Sequence, residues 1–324
     1  MRAMLALAVA LFAAPAAAQV PLRVGIPAPT VNMLPMWVAQ EAGFFDAGGL
    51  AVEIVDTGGG SRGLAMLRAG ELQIMNVGLS AVIDENGRGA DFRMIAASTN
   101  TMSFGFFGAP GITAAGLRGQ KVGVSTLGSE SDVAATLALR KLGLGRGDVV
   151  FVETGATMAR LDALMSGAIA ATALNEPVNL IAQQRGIPKL AGLAEDTPWI
   201  LNGIVVRREA MAAQRETLLN FLRAYTEAIH FALANPERTQ AILAARFGTL
   251  DPAVAKATYD DFRRRIPRDA VPSLASAGNM IRELPALGVA VGDTNTAAHV
   301  EAGLIEALRA EGFFDALRQR YGTR

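Results

Sequence analysis

At 324 residues the chain exceeds what one hydrophobic core usually fills, so two lobes are expected. Thirty Lys and Arg balance thirty Asp and Glu, which offers no basic field for nucleic acid or for an anionic membrane surface. Cysteine is absent, which excludes disulfides and a lipid-bearing cysteine, so core burial alone must hold the fold.

The N-terminus reads as an export signal. Met1-Arg2 gives a short positive start, Met4–Ala14 is an unbroken apolar run, Pro15 breaks it, and Ala16-Ala17-Ala18 supplies small residues for cleavage after Ala18. The run falls short of the ~20 apolar residues that span a bilayer. Residues 1–18 are thus expected to be removed. A free exported protein without a lipid anchor points to the periplasm of a double-membraned bacterium.

After the leader, strands and helices alternate. Leu22–Ile26 reads as a strand stopped by Pro27, Leu34–Ala42 as a helix ending at Gly43, and Ala51–Val55 as a second strand closed by Gly58-Gly59-Gly60-Ser61. Arg62–Ala69 is helical, Leu72–Val77 a strand leading through Gly78-Leu79-Ser80 into a helix, and Phe92–Ala97 a fourth strand. This order predicts an α/β fold with mostly parallel sheets covered by helices on both faces. Ser103–Gly108 is extended, and the pattern then repeats. Lys121–Val124, Val149–Glu153, Ala170–Leu174 and Pro188–Leu190 read as strands, Glu130–Leu142 and Met158–Ser166 as helices, and Ile200–Arg207 as a closing strand. Long helices follow over Ala210–Phe247, Pro252–Ile266 and Ala297–Tyr321.

The second α/β unit lies between two extended segments, Ser103–Gly108 and Ile200–Arg207. If both cross between lobes they form a two-strand hinge. The expected division is lobe I at 19–105 and 205–324, with lobe II inserted at 106–204.

Several blocks resemble one family. Leu34-Pro35-Met36-Trp37-Val38-Ala39-Gln40-Glu41-Ala42-Gly43-Phe44-Phe45, with Gly49-Leu50-Ala51-Val52-Glu53, resembles the opening of solute-binding proteins of the nitrate/sulfonate/taurine and thiamine-pyrimidine precursor type. Leu117-Arg118-Gly119-Gln120-Lys121-Val122-Gly123-Val124 resembles the start of their second lobe. Arg160–Gly167 with Asn175-Glu176-Pro177, and Asn235-Pro236-Glu237-Arg238, resemble later blocks. The resemblance implies a type II periplasmic binding protein fold, two doubly wound lobes that close on a small polar solute. It also implies delivery to the membrane permease of an ABC importer. It does not fix the solute, and a periplasmic sensor partner would use the same closing cleft. A monomer without cofactor or metal is expected.

Ligands of open α/β sheets sit beyond the C-terminal strand ends. That rule nominates Thr30, Asn32, Gly60, Ser61, Ser80, Thr99 and Asn100 from the first lobe, and Ser125, Thr126, Ser129, Thr157, Asn175 and Glu176 from the second. Gly58–Ser61 and Gly128-Ser129 lead into helix N-termini, which favour an anion, although Ser is also an ordinary cap. Glu130, Asp132 and Glu176 pull the other way: they read as solvated carboxylates that offset the helix dipole, and Glu176 in a cleft would favour an amine. Arg62 reads as a solvated first-turn residue with an anion partner as the alternative. Trp199 offers a stacking wall or packs in the hinge. Trp37 reads as core, and Arg263-Arg264-Arg265 with Arg268 as a solvated helix face.

The rival class is a pyrimidine-synthase-like enzyme, whose Cys-rich motif this chain lacks. His230 and His299, the two histidines, lie within a long helix and near the tail, away from strand ends. No nucleophile–base spacing or metal-ligand cluster stands out, so a binder rather than an enzyme is expected.

Overall fold

The computed structural model of the chain describes residues 18–193, 198–248 and 250–323. Of the export segment expected at 1–18, residues 1–17 lie outside the described residues. The first unit comprises β1 (Val20–Ile26), α1 (Leu34–Glu41), α2 (Phe44–Ala47), β2 (Leu50–Asp56), α3 (Gly60–Ala69), β3 (Ile74–Val77), α4 (Leu79–Gly87) and β4 (Phe92–Thr101). The second comprises β5 (Gly105–Gly108), β6 (Lys121–Val124), α5 (Glu130–Lys141), β7 (Val150–Glu153), α6 (Thr157–Met165), β8 (Ala171–Leu174), α7 (Val178–Gln184) and β9 (Lys189–Gly192). The chain then returns through β10 (Pro198–Arg207) to α8 (Arg208–Ala213), α9 (Arg215–Ala234), α10 (Pro236–Arg246), α11 (Pro252–Arg265), α12 (Leu274–Glu283), α13 (Gly303–Ala310) and α14 (Phe313–Tyr321).

Two five-stranded sheets result, in the orders β2-β1-β3-β10-β4 and β7-β6-β8-β5-β9. In each, three neighbouring strands run parallel, with registers Val24↔Ile54 and Val24↔Ile74 in the first sheet and Val122↔Phe151 and Val122↔Ala171 in the second. Helical crossovers bury such strands on both faces, and β3 and β8 are buried along their whole length. The sheets are more mixed than alternation alone predicts. β10 pairs antiparallel with β3 and β4, and β5 pairs antiparallel with β8 and β9. Both are the strands that arrive directly from the other sheet, so no helical crossover sets their direction.

The chain passes between sheets at residues 102–104 and again between Leu193 and Pro198. Residues 198–204, which sequence order places in the second lobe, pair within the first sheet. The C-terminal helices pack back onto the first unit, α9 against α1, α2 and α14. There Phe45 stacks on Phe221 at 5.3 Å and Trp37, buried as expected, meets Phe247 edge-on. The single helix expected over Ala210–Phe247 is broken twice, the second time at Asn235, because Pro236 cannot donate to the preceding turn and instead opens α10. The helix expected from Ala297 starts only at Gly303 and breaks at Gly312, whose φ of 74° is left-handed. Among the described residues no helix is long and apolar enough to cross a membrane.

Candidate ligand-binding site

The C-terminal ends of β1, β3, β6 and β8 face one another across the junction of the two sheets and enclose a cavity of about 50 Å³. That is room for a few waters or a compact head group. Thr30, Gly60, Gly78 and Asn202 line it from the first lobe; Ser125, Ser129, Ser131, Glu130, Thr157, Arg160 and Asn175 line it from the second.

Arg160 is the dominant electrostatic feature. Thr157, Arg160, Leu161 and Leu164 are the buried stripe of α6, spaced i, i+3, i+4, i+7, so helix geometry drives this arginine inward. It is 2 % exposed. Nη1 donates to the Gly155 carbonyl at 2.7 Å, and Nη2 to Thr157 Oγ1 and the Ala173 carbonyl at 3.2 Å each. Among the described residues Nε has no partner and no carboxylate forms an ion pair with the guanidinium. Burial pulls its pKa down to about 9. A buried, uncompensated cation on a cavity wall is costly unless an anion joins it.

Three hydroxyls lie on the same side. Ser125, Ser129 and Ser131 form a triangle with Oγ–Oγ distances of 2.9, 3.0 and 3.0 Å, where α5 begins. Ser129 occupies the N-cap position, yet its hydroxyl makes no capping bond. Ser131 Oγ also accepts from Ser125 N at 2.8 Å, whereas the Ser125 and Ser129 hydroxyls bond only within the triangle and can rotate toward a ligand acceptor. Thr30 Oγ1, on the facing lobe, is buried and has no partner among the described residues.

Glu130 corrects its sequence reading. Although it opens α5, it is only partly exposed, its carboxylate turned across the cleft. Its Oε1 accepts from Ser80 N at 2.9 Å and Ser80 Oγ at 2.6 Å, and its Oε2 from Trp199 Nε1 at 2.9 Å. All three donors belong to the first lobe, so these bonds tie the two lobes together and would be lost if the cleft opened. Burial pushes the carboxyl up to about 7 against the pull of those donors from Ser80 and Trp199. Asp132, on the same helix, is also buried rather than solvated and is paired with Arg146. In an open cleft Glu130 would titrate near its ordinary 4.5. Closure therefore takes up a proton between about pH 4.5 and 7, is most favourable below that window, and weakens as pH rises through it. Ligand affinity is expected to fall by at most about tenfold per pH unit across the window and to level off above it. Calorimetric titrations from pH 4.5 to 8 would read this, and Glu130→Gln should flatten the slope.

Further contacts bridge the lobes. Val31 N donates to the Glu176 carbonyl at 3.2 Å, Ser61 Oγ to the Leu127 carbonyl at 3.0 Å, and Arg265 on α11 meets the Glu176 carboxylate at 3.3 Å. Arg265 thus departs from the solvated face expected for its run. It is nearly buried and also pairs with Asp261, whereas Arg263 and Arg264 are exposed.

Of the strand-end residues nominated from sequence, Thr30, Gly60, Ser125, Ser129, Thr157 and Asn175 reach the cavity. Asn32 and Thr99 stand behind it: Asn32 Nδ2 donates to Asn202 Oδ1, and Thr99 Oγ1 to Asn32 Oδ1. Ser80 and Trp199 hold Glu130; Ser61 and Glu176 bridge the lobes. Thr126 is packed so close to Gly59 that a Cβ there would lie 2.4 Å from its methyl. Asn100 turns away, accepting from Ser273 N and donating to the Val271 carbonyl. Arg62 is exposed. Sequence reasoning missed Ser131, Arg160 and Asn202 as polar cavity residues, and the signal for Arg160 was its place on the buried stripe of α6. His230 and His299 are buried in the first unit, bonded to Thr323 and to Asn86 and the Asp293 carbonyl. Among the described residues no cluster of His, Asp and Glu is placed to hold a metal ion.

Solved structures share this architecture. A protein of Bordetella bronchiseptica RB50 aligns with TM-score 0.81 and 22 % identity over 91 % of this chain and 98 % of its own. The alkanesulfonate-binding protein SsuA from Xanthomonas axonopodis pv. citri, bound to MOPS, gives 0.72 and 18 % over 88 % and 99 %. The periplasmic nitrate-binding protein NrtA from Synechocystis PCC 6803 gives 0.73 and 16 % over 90 % and 89 %. The fold also hosts catalysis, since the desulfurization enzyme DSZB aligns at 0.63 and 16 % over 91 % and 100 %. These likenesses establish the periplasmic binding protein fold. The chain has no sequence match among curated proteins. The family model described as NMT1/THI5 like matches residues 30–239, well over half the sequence, and the chain belongs to that family.

Proposed function

We propose that the protein is a periplasmic solute-binding protein that closes on a small oxyanion and presents it to the permease of an ABC importer. The observation that carries this reading is Arg160, a buried cation with no carboxylate partner among the described residues, on the wall of a cavity between two lobes. The serine triangle and the unpartnered Thr30 hydroxyl add rotatable donors around the same space. Sulfonate and nitrate, named for two proteins of the same fold, are anions of this kind. The lobe division that this reading uses follows the sheets: residues 18–101, 198–248 and 250–323 against 105–193. The working unit is a monomer, exported by its N-terminal segment.

A binder is preferred over an enzyme because the cavity presents hydrogen-bond donors and no nucleophile–base pair. The chain has no cysteine, and neither histidine lines the cavity. The test is a thermal-shift and calorimetric screen of the leader-free protein against nitrate, short alkanesulfonates, carboxylates, a neutral pyrimidine and an alkylamine. An oxyanion at a hundred times its Kd should stabilise the fold by about 2.7 kcal/mol. Stabilisation by the pyrimidine or amine alone would sink the reading.

A further inference from the structure

The cavity wall carries two charged side chains, Arg160 and Glu130, both from the second lobe. They do not neutralise each other. No ion pair joins them, Arg160 spends its donors on Gly155, Thr157 and Ala173, and Glu130 is held by Ser80 and Trp199. A ligand in the closed cleft therefore meets one cation free to pair with it and one fixed carboxylate. As a closing contact, Glu130 needs only acceptor oxygens. Its charge works against every anion, and it does so in a buried site where charges interact far more strongly than in water.

A singly charged oxyanion balances Arg160 and leaves Glu130 in its own three hydrogen bonds. A doubly charged ion of similar size brings a second charge that no cation among the described residues of the cavity meets and that Glu130 repels. We infer that Glu130 makes the site selective for singly charged over doubly charged oxyanions, so that the ligand class is the monovalent oxyanion and sulfate is excluded. This inference rests on the oxyanion reading given above.

Methanesulfonate and sulfate separate the charge from the head-group chemistry, since both present sulfur-bound oxygens. Calorimetry at pH 8 on the leader-free protein is expected to favour methanesulfonate on the order of a hundredfold, the scale of a buried like-charge clash. Glu130→Gln should narrow that ratio at least about tenfold. A loss of closing contacts weakens both ions together and leaves the ratio unchanged, so the ratio isolates the charge effect. A second measurement needs no variant. Sulfate keeps two charges and methanesulfonate one at both pH 8 and pH 5.5, whereas Glu130 becomes neutral at the lower pH. The groups facing it are the uncharged Ser80 of α4 and Trp199 of β10, while on its own helix Asp132 is held by Arg146. The wild-type preference should therefore shrink at pH 5.5. Equal wild-type binding of the two ions, or a ratio unmoved by both Glu130→Gln and acidification, overturns the inference while leaving oxyanion binding intact. Failure of the wild type to bind either sulfur oxyanion, nitrate or a carboxylate overturns both.

Discussion

Replacing Arg160 with methionine is expected to abolish oxyanion binding while leaving the unliganded protein close to wild-type stability. Methionine follows the volume of the arginine stem and keeps the buried stripe of α6 apolar. The ligand loses the only cationic partner that the described residues offer in the cavity, and truncating one member of a buried, hydrogen-bonded charge pair costs about 2–5 kcal/mol, or at least roughly thirtyfold in Kd. In the empty protein the effects oppose each other. The lost bonds contribute about 1 kcal/mol each. The Ala173 residue keeps its strand pairing with Phe106, and the Gly155 backbone is only partly buried, so water can replace the guanidinium there. Removing an uncompensated buried charge offsets the rest. Calorimetry should find no measurable binding, and thermal denaturation should find a near-unchanged midpoint with no ligand-induced rise. An arginine that serves only to hold α6 would give the reverse, a lower midpoint with affinity retained.

Much of this molecule is legible one segment at a time. Lys121–Val124 is a strand with the same bounds in sequence and structure, because a short apolar run bounded by turn residues leaves little choice of length. The rule that ligands gather at strand ends found six cavity residues for the same local reason. Where the reading failed, the deciding partner was distant in sequence. Glu130 stands at a helix start, where carboxylates are ordinarily solvated, and only the approach of α4 and of Trp199 on β10 buries it. Asn100 ends a strand as Thr30 follows one, yet β4 is an edge strand whose end faces the segment before α12. Between the two roles open to Trp199, a stacking wall or hinge packing, sequence could not choose, because its partner Glu130 is 69 residues away. Arg265 belongs to a run of three arginines, and α11 turns only that one toward Glu176.

Substituting alanine for Gly78 should separate closure from folding. Gly78 precedes α4 with φ −71° and ψ 150°, an extended conformation open to alanine, so the backbone gives no reason for glycine. The reason lies across the cleft. A Cβ at this position would stand 1.9 Å from Glu130 Cγ and 2.2 Å from its Oε1, both far inside contact distance. The clash is with the stem of the side chain, so Glu130 can escape only by giving up its bonds to Ser80 and Trp199. In a form with the lobes parted the added methyl would meet no such obstacle. Gly78→Ala should therefore fold with wild-type stability in the absence of ligand and stay open. It should lose affinity by about 1–3 kcal/mol, the ordinary cost of overpacking, which is roughly 5- to 150-fold in Kd. Small-angle scattering should show compaction with ligand for the wild type and none for the variant. Adding Glu130→Ala removes the atoms that the new methyl strikes, so the double variant should bind more tightly than Gly78→Ala alone, a non-additivity expected only of residues in direct contact. Additive losses would place the defect elsewhere, in the α4 turn itself, and would remove Gly78 from the closing surface.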